Sequence, residues 1–444
     1  MKRLKTTLLL GIFIMASSIH AQQTPAPTQN EAVTIVGATA HIGNGEIIEN
    51  SLIIFENGIL TQVLDATTTK MQYRGTIINA EGKHVYPGII APNTTLGLVE
   101  IASVRPTDDE DEIGEMLPHI RSLVAYNAES QIVESMRPNG VLIGQIVPRG
   151  GTISGTSSIV QFDAWNWEDA AIKKDGGLHI NWPNSFKRGR WWLGEERGLK
   201  ANEKYTDDVL KLTQFFNNSR AYIAGDQQQE NLPYKSMETV FNNGKKVFIH
   251  VDGEREIVDA IQFKKDQNLK DMVIVGGYDA VKVADLIKAE NIAVLAPRPH
   301  TTPNQDDEDY DYNYKLAKLL TDKGILVGLE SSGQMERAST RNLPFYAGTV
   351  AASGMDKEEA LKLITLNNAK ILGIDNRLGT LEKGKDATLF ISEGDALDMR
   401  TNILTKAFIQ GRELSLESHQ TELYHRYSDK YENQKDTKKQ SDIK

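Results

Sequence analysis

Short apolar runs recur along the chain, and their spacing divides it into two kinds of region. Near the N-terminus several runs of strand character follow one another, and Asn57-Gly58 between two of them is a strong signal for a β-hairpin. Between residues 87 and 379 most runs alternate with segments of helical period. Runs at 386–391 and 406–411 again have strand character. The pattern predicts a small sheet domain that both chain ends build and that brackets an alternating region.

The alternating region predicts a parallel sheet covered by helices. Its short runs are rich in β-branched residues and lack the strict alternation of a half-exposed strand. Seven of a possible eight strands can be counted, which favours a (β/α)8 barrel over an open sheet. The predicted fold class is therefore α/β. It consists of a (β/α)8 TIM-like barrel at residues 87–379 and a small β-sandwich domain built from residues 32–86 and 380–416.

Three further segments do not follow these patterns. Residues 163–200 contain all five tryptophans among glycines and basic residues, and they are predicted to be an insertion in the barrel, either a lid over a pocket or a docking surface. Residues 417–444 are dense in charge and poor in aliphatic side chains, as is typical of a partly disordered tail. Residues 1–21 have the basic start, apolar core and small-residue end of a secretory signal peptide, and residues 22–31 form a polar tether. We therefore expect an exported, periplasmic protein whose mature chain has no membrane span.

Composition narrows the class of partner. The chain has 444 residues and a formal net charge of −10, and removal of residues 1–21 with their three basic side chains would leave −13. Such a surface repels phosphate backbones, so nucleic acid is not an expected partner. The absence of cysteine excludes disulfides, thiolate nucleophiles and cysteine–zinc sites. A small-molecule substrate or ligand is the expected partner.

Side chains at the C-terminal ends of barrel strands face the active site of such a fold. His250 stands near the end of the apolar run 247–251 and shares a face of that strand with Asp252. A histidine there could be a metal ligand or a general base, although a core histidine has the same pattern. Residues 149–157 form a glycine-rich loop at another strand end, which could offer N–H groups to an anion or be a flexible turn.

Two other strand ends carry polar residues. Asn93 and Thr95 follow the first barrel strand and are expected to project to the same side. An amide and a hydroxyl are weak zinc ligands compared with histidine, carboxylate and thiolate. Glu330 and Ser332 follow the last barrel strand and supply one carboxylate and one hydroxyl. A nucleophilic serine is not indicated there, because the G-x-S-x-G pattern is absent.

Three stretches carry a family resemblance: residues 82–90, residues 250–257 and, most specifically, the block at 358–387. Together they resemble the amidohydrolase superfamily, in its imidazolonepropionase-like, exported branch. The resemblance extends over about residues 31–414 and is thinnest across 163–200. It implies a (β/α)8 barrel with a β-sandwich, and hydrolysis of carbon–nitrogen bonds in non-peptide or cyclic amides with zinc or another divalent metal.

Most metal ligands that the resemblance implies are replaced in this chain. The family has H-x-H at the end of the first barrel strand, and here Asn93-Thr94-Thr95 stands there. His250 matches the ligand of the fifth strand and is the one surviving ligand. The histidine of the sixth strand should lie near residues 275–277, which contain none, and only Glu330 lies near the position of the eighth-strand aspartate. A zinc ion that activates water needs about three strong protein ligands, so the cofactor stays an open question.

Two functions follow from this pattern. The first is a hydrolase of carbon–nitrogen bonds, with His250 and Glu330 as candidate catalytic residues. In that case the substrate pocket is expected to contain Asn93, Thr95, Asp252 and Ser332. The second is a catalytically inactive pseudoenzyme that acts as a binding subunit, in a homo-oligomer or beside a partner amidohydrolase.

Overall fold

The computed structural model describes residues 24–69, 72–189, 191–194, 198–226, 229–242, 244–333 and 335–441. The predicted signal peptide, residues 1–21, lies outside the described residues, so export stays a prediction. Within the described ranges, every helix is too short or too polar to cross a membrane.

Both ends of the chain build one eight-stranded sheet, as the apolar pattern predicts. Its strands are β1 (Val33–His41), β2 (Ile47–Glu56), β3 (Ile59–Asp65), β4 (Thr76–Asn79), β5 (His84–Pro87), β16 (Leu389–Ser392), β17 (Leu404–Ile409) and β18 (Arg412–Glu413). The order is β18-β17-β16-β5-β1-β2-β3, and β4 also pairs with β1. Asn57 and Gly58 join β2 to β3 with φ of 54° and 78°, the left-handed conformation that two-residue hairpin turns require.

The sheet domain has its own apolar core. Ile35 and Leu60 from the N-terminal strands pack with Leu389 from β16, and the rings of Phe55 and Phe408 meet edge to face with centroids 5.1 Å apart. Because both chain ends supply this core, neither end can form the domain alone.

A second sheet of eight strands forms a nearly closed barrel. Its strands are β6 (Ile89–Thr94), β7 (Val141–Ile146), β8 (Ile153–Gln161), β9 (Ala171–Asn181), β12 (Lys246–Val251), β13 (Met272–Gly276), β14 (Ala293–Ala296) and β15 (Val327–Leu329). They follow one another in chain order. Neighbouring strands are parallel except that β8 runs antiparallel to both β7 and β9. The predicted barrel and the two-part architecture are therefore confirmed.

The prediction that residues 163–200 are entirely an insertion is wrong, because β9 is the fourth barrel strand. Charged residues and glycines in the first half of β9 conceal the strand in the sequence. Gly177 is required there, since a Cβ atom would lie 2.6 Å from the ring of Phe248 and 2.7 Å from Ser157 Oγ. The rest of the segment includes a separate hairpin of β10 (Phe186–Arg188) and β11 (Leu199–Ala201).

Helices connect the barrel strands and continue beyond them. The α-helices of the described chain are α1 (Gln131–Glu134), α2 (Trp167–Ala170), α3 (Tyr205–Ala224), α4 (Leu232–Ser236), α5 (Glu238–Phe241), α6 (Glu254–Asp266), α7 (Ala284–Ala289), α8 (Tyr312–Asp322), α9 (Glu336–Ser339), α10 (Leu343–Ala352), α11 (Lys357–Lys362), α12 (Leu366–Leu372) and α13 (His419–Ser441). Within the described part of the predicted tail, residues 417–441, the chain forms α13. Its first residue is held to the barrel, where His419 N donates to Glu134 Oε1 at 2.8 Å.

The segment between α11 and α12 bridges the two edge strands of the barrel, β6 and β15. Ile90 N donates to Ile364 O and Leu329 N to Leu363 O, each at 2.9 Å. The buried amide of Asn368 donates to the carbonyl oxygens of Ile90 and Leu329 at 2.9 and 3.1 Å. One short stretch of chain therefore satisfies backbone groups on both sides of the barrel seam.

A buried carboxylate joins the barrel to the sheet domain. Asp163 is 1% exposed, and its Oδ2 atom accepts from Arg412 Nη1 at 2.7 Å and from the backbone N of Ala26 at 3.0 Å. Arg137 Nη1 lies 3.3 Å from Oδ1 of the same side chain. The tether, the last strand of the sheet domain and the barrel therefore meet at one negative charge.

We expect Asp163→Asn to lower the free energy of unfolding by about 3 kcal/mol or more, because two largely buried guanidinium groups lose their counter-ion. Urea unfolding measures this loss. The matched control is Asp398→Asn, whose carboxylate binds Arg400 at the surface, and it should leave the unfolding midpoint unchanged. Equal losses in both variants would contradict the role of Asp163.

Candidate active site

Six neighbouring barrel strands each bring one polar side chain to the barrel mouth. We call this group the polar arc, and its members are Glu330 (after β15), Asn93 (β6), Gln145 (β7), Ser157 (β8), His179 (β9) and His250 (β12). All except His250, which is partly exposed, are at most 2% exposed. Buried polar groups require hydrogen-bond partners, and here neighbouring members of the arc supply them.

One half of the arc is organised by Asn93. Its Nδ2 atom donates to Glu330 Oε2 at 3.1 Å, and its backbone N donates to Gln145 Oε1 at 3.1 Å. Ser332 N donates to the same Glu330 oxygen at 2.7 Å. The sequence-predicted residues Asn93, Glu330 and Ser332 are thus brought together.

The other half of the arc contains two histidines. His179 Nε2 lies 2.8 Å from Ser157 Oγ, and His179 Nδ1 lies 2.9 Å from His250 Nε2. Burial, and secondarily the positive charge of Arg149, lowers the pKa of His250 to about 3, and burial also holds the pKa of His179 well below its usual value. Both rings are therefore neutral at pH 7, and one N–H group forms the bond between them.

The backbone at the end of the first barrel strand, β6, is not regularly extended. Asn93 has φ of 51° and is 1% exposed. This left-handed conformation is uncommon for residues other than glycine, although asparagine adopts it more readily than most. The prediction that Asn93 and Thr95 project to the same side assumes a regular strand, and the backbone of Asn93 departs from that geometry. Asn93 bonds to Glu330, whereas Thr95 N donates to Glu336 Oε1 at 2.6 Å.

The positive charge of this region comes from Arg149, in the glycine-rich loop after β7. Its Nη1 atom donates to Asn93 Oδ1 at 2.7 Å, and its Nη2 atom donates to Asn93 O at 2.9 Å and to Glu336 Oε2 at 3.1 Å. A second cation, Arg337, donates to Glu110 Oε2 at 3.2 Å and to Thr95 Oγ1 at 3.4 Å. Residues 153–157 of the predicted glycine-rich loop belong to β8, and Arg149 in the remaining loop is bound to Asn93 and Glu336.

Glu330 differs from an ordinary carboxylate. Burial raises its pKa to about 7, although hydrogen bonds from Ser332 and the charge of Arg149 act in the opposite direction. At neutral pH both the protonated and the ionised forms are therefore populated. A carboxyl group in this state can accept a proton and return it.

Two other residues of interest lie outside the arc. Asp252 follows β12 and is exposed, and its Oδ1 atom accepts from Tyr278 N at 3.3 Å near the end of the sixth barrel strand. His300 follows β14, is exposed and lies 2.7 Å from Thr349 Oγ1. Asp252 is therefore bound to the backbone that follows β13, whereas His300 is bound to α10.

The donor set does not fit the metal that the family resemblance implies. Among the described residues no group of three or more histidine, aspartate and glutamate side chains is arranged to hold a metal ion. The two histidine nitrogens that approach each other, His179 Nδ1 and His250 Nε2, share a hydrogen bond. A zinc ion at about 2.0–2.1 Å from each would need both nitrogens to face a third point instead.

Sequence reasoning missed several residues of this site. They are Gln145, His179 and Glu336, and the loop 149–157 was a candidate for its backbone N–H groups rather than for the side chains of Arg149 and Ser157. His179 alternates with the apolar Leu178 and Ile180, a signal that the surrounding lysines and glycines obscure. No local pattern distinguishes Glu336, which reaches the site from α9 after the eighth strand.

Comparison with known proteins agrees with this architecture. Residues 202–414 match the model of the amidohydrolase family. A solved amidohydrolase from Thermotoga maritima, 21% identical, superimposes with a TM-score of 0.74 over 86% of this chain and 99% of that one. Residues 202–414 therefore match the amidohydrolase family, and the fold of the described chain is similar to that of a solved amidohydrolase.

Curated relatives match part of the chain. A 5-methylthioadenosine/S-adenosylhomocysteine deaminase from Teredinibacter turnerae is 27% identical over 225 residues, 46% of this chain and 48% of the deaminase. An imidazolonepropionase from Syntrophobacter fumaroxidans is 33% identical over 82 residues, 18% of this chain and 19% of that enzyme. The chain thus aligns with about half or less of each relative.

We expect the purified protein to retain less than about 0.1 zinc per chain after equilibration with zinc and removal of the excess, because a stable site needs more ligands than the arc supplies. Elemental analysis for zinc, iron, manganese and nickel makes the measurement. A content near one metal per chain would contradict the assignment of the arc as a metal-free site.

The raised pKa of Glu330 predicts a pH-dependent stability. Between its ordinary value of 4.5 and about 7 the folded state holds a proton that the unfolded state has lost. The contribution of Glu330 to the free energy of unfolding is therefore fully present below pH 4.5 and is lost as the pH rises through 7. Relative to wild type, Glu330→Gln should gain up to about 3 kcal/mol between pH 4.5 and 8 in urea unfolding. Glu393→Gln, at an exposed carboxylate, is the control, and a flat difference for Glu330→Gln would contradict the prediction.

Proposed function

We propose that the protein is a hydrolase of carbon–nitrogen bonds in non-peptide or cyclic amides, and that it acts at the polar arc. The observation that carries the proposal is the buried Glu330 carboxyl with a pKa of about 7 at the end of the eighth barrel strand. The match to the amidohydrolase family and the similarity to a deaminase support the reaction class.

Glu330 can supply the proton transfers that this reaction requires. As the ionised carboxylate it takes a proton from water, whose oxygen bonds to the electrophilic carbon. The same group then returns that proton to the nitrogen as the carbon–nitrogen bond breaks. Asn93 Nδ2 and Ser332 N donate to one oxygen of the carboxyl, which fixes its orientation during both transfers.

A neighbouring cleft offers room for a small substrate. Gly151, Thr152, Asn181 and Lys204 belong to its lining, and its volume is about 550 Å³. Pockets for small molecules commonly measure about 300–1,000 Å³. Gly151 is two residues from Arg149, and Asn181 is two residues from His179 on β9. The cleft therefore lies at the ends of β9 and of the loop after β7, and the described residues that line it include no member of the polar arc.

A second function, binding without turnover, is favoured by one specific observation. Among the described residues the donor set lacks the arrangement that the family's metal chemistry requires, and the two histidines bond to each other. A binding or partner subunit would need the pocket but not the proton transfers of Glu330.

Activity measurements separate the two functions. We expect turnover on a panel of cyclic amides, N-acyl amines and amidines, with a rate that rises with pH through about 7 as Glu330 ionises. Glu330→Gln should lower kcat by about 100-fold or more, because it removes the general base. Product and ammonia release are the readouts.

His250→Ala should lower turnover far more than His300→Ala, since His300 lies outside the arc. Equal effects of these two variants would overturn the assignment of the active site. Ligand binding by wild type without turnover on any member of the panel would favour the binding subunit.

A further inference from the structure

We propose that the Arg149 guanidinium is the resident cation of the barrel mouth, and that it holds the end of β6 and Glu336 in place of a bound metal. The inference concerns how the site is built, and it holds whether the protein turns over its ligand or only binds it. Arg149 is a positioning residue in this proposal.

The contacts of Arg149 connect Asn93 with Thr95, which stand where the family resemblance implies the H-x-H pair of the first barrel strand. Three hydrogen bonds run from its guanidinium, two to Asn93 and one to Glu336. Glu336 in turn accepts from the backbone N of Thr95. The planar guanidinium suits this role, because its donors point in fixed directions and its charge does not titrate.

The backbone of β6 is adapted to the guanidinium. Asn93 is held in its left-handed conformation by Arg149, which binds both its side-chain and its main-chain oxygen. Gln145 accepts from the N–H group of the same residue. Two metal ligands at positions i and i+2 need a regular extended strand end, with both side chains on one face. This conformation of Asn93 removes that arrangement.

The charges at the barrel mouth also support a guanidinium in place of a metal. The carboxyl groups of Glu330 and Glu336 are at most 6% exposed, and Arg149 binds one of them directly. A divalent ion at this place would be repelled by the guanidinium, whose charge is permanent. The buried acidic groups are therefore balanced by a protein side chain.

The test uses Arg149→Gln, which removes the charge, and Arg149→Lys, which keeps the charge but loses the two-pronged contact with Asn93. The readout is the titration of Glu330, measured as the pH dependence of the stability difference between each form and its Glu330→Gln derivative. We expect Arg149→Gln to move this titration about one pH unit higher, because a nearby positive charge favours the ionised carboxylate. Arg149→Lys should move it less and still lower the melting temperature.

The control is Arg377→Gln, which breaks the bond to the buried Asp386 in the other domain. It should lower the melting temperature without moving the titration of Glu330. If Arg149→Gln also leaves that titration unmoved, the proposal is overturned, since a merely structural role would have this result.

A measurement on the wild-type protein needs no variant to fold. The melting temperature should be the same in excess EDTA and in excess zinc chloride, because no metal is part of the folded site. A rise in zinc together with stoichiometric binding would overturn the proposal.

Discussion

Buried polar groups set the constraint on which the barrel mouth depends. A polar side chain removed from water needs a hydrogen-bond partner, and leaving one unpaired costs about 1–3 kcal/mol. Here the partners come from neighbouring strands, so that Glu330, Asn93 and Gln145 are linked in one direction. His179 is linked to Ser157 on one side and to His250 on the other. The mouth is consequently polar and ordered, and a ligand must compete with bonds that already exist.

The block at residues 358–387, which most specifically resembles the family, has a structural role at the seam of the barrel. Residues 358–387 include the segment that bridges β6 and β15, where Asn368 and two backbone carbonyls bind both edge strands. Asn93 lies on β6, and Glu330 follows β15. The seam therefore fixes the distance between these two residues, and the bond from Asn93 Nδ2 to Glu330 depends on it. The block that resembles the family thus positions Asn93 and Glu330, which differ from the metal ligands that the resemblance implies.

The sequence predicted the parts of the site that follow directly from strand ends. His250, Asn93 and Glu330 could be found because each ends an apolar run in a fold whose strand ends face the active site. The loop that contains Arg149 was found for its backbone N–H groups, but the role of the Arg149 side chain could not be predicted, because it depends on the backbone turn at Asn93. His179 was missed for a local reason, since Gly177 and the charged residues before it hide the apolar period of β9. The roles of Arg149 and His179 therefore depend on contacts between residues far apart in the sequence, which a local pattern does not show.

The charge states of the site limit the chemistry that it can perform. His179 and His250 have pKa values far below neutrality, so neither carries a proton to give as an imidazolium. Arg149 contributes a guanidinium, which donates hydrogen bonds and accepts none. Glu330 is the member of the arc whose pKa lies near 7, so it can both take and return a proton. A reaction in which one group takes a proton from water and passes it to a departing nitrogen fits this distribution. A reaction that needs a separate acid and base from the arc does not, because its neutral histidines are bonded to each other.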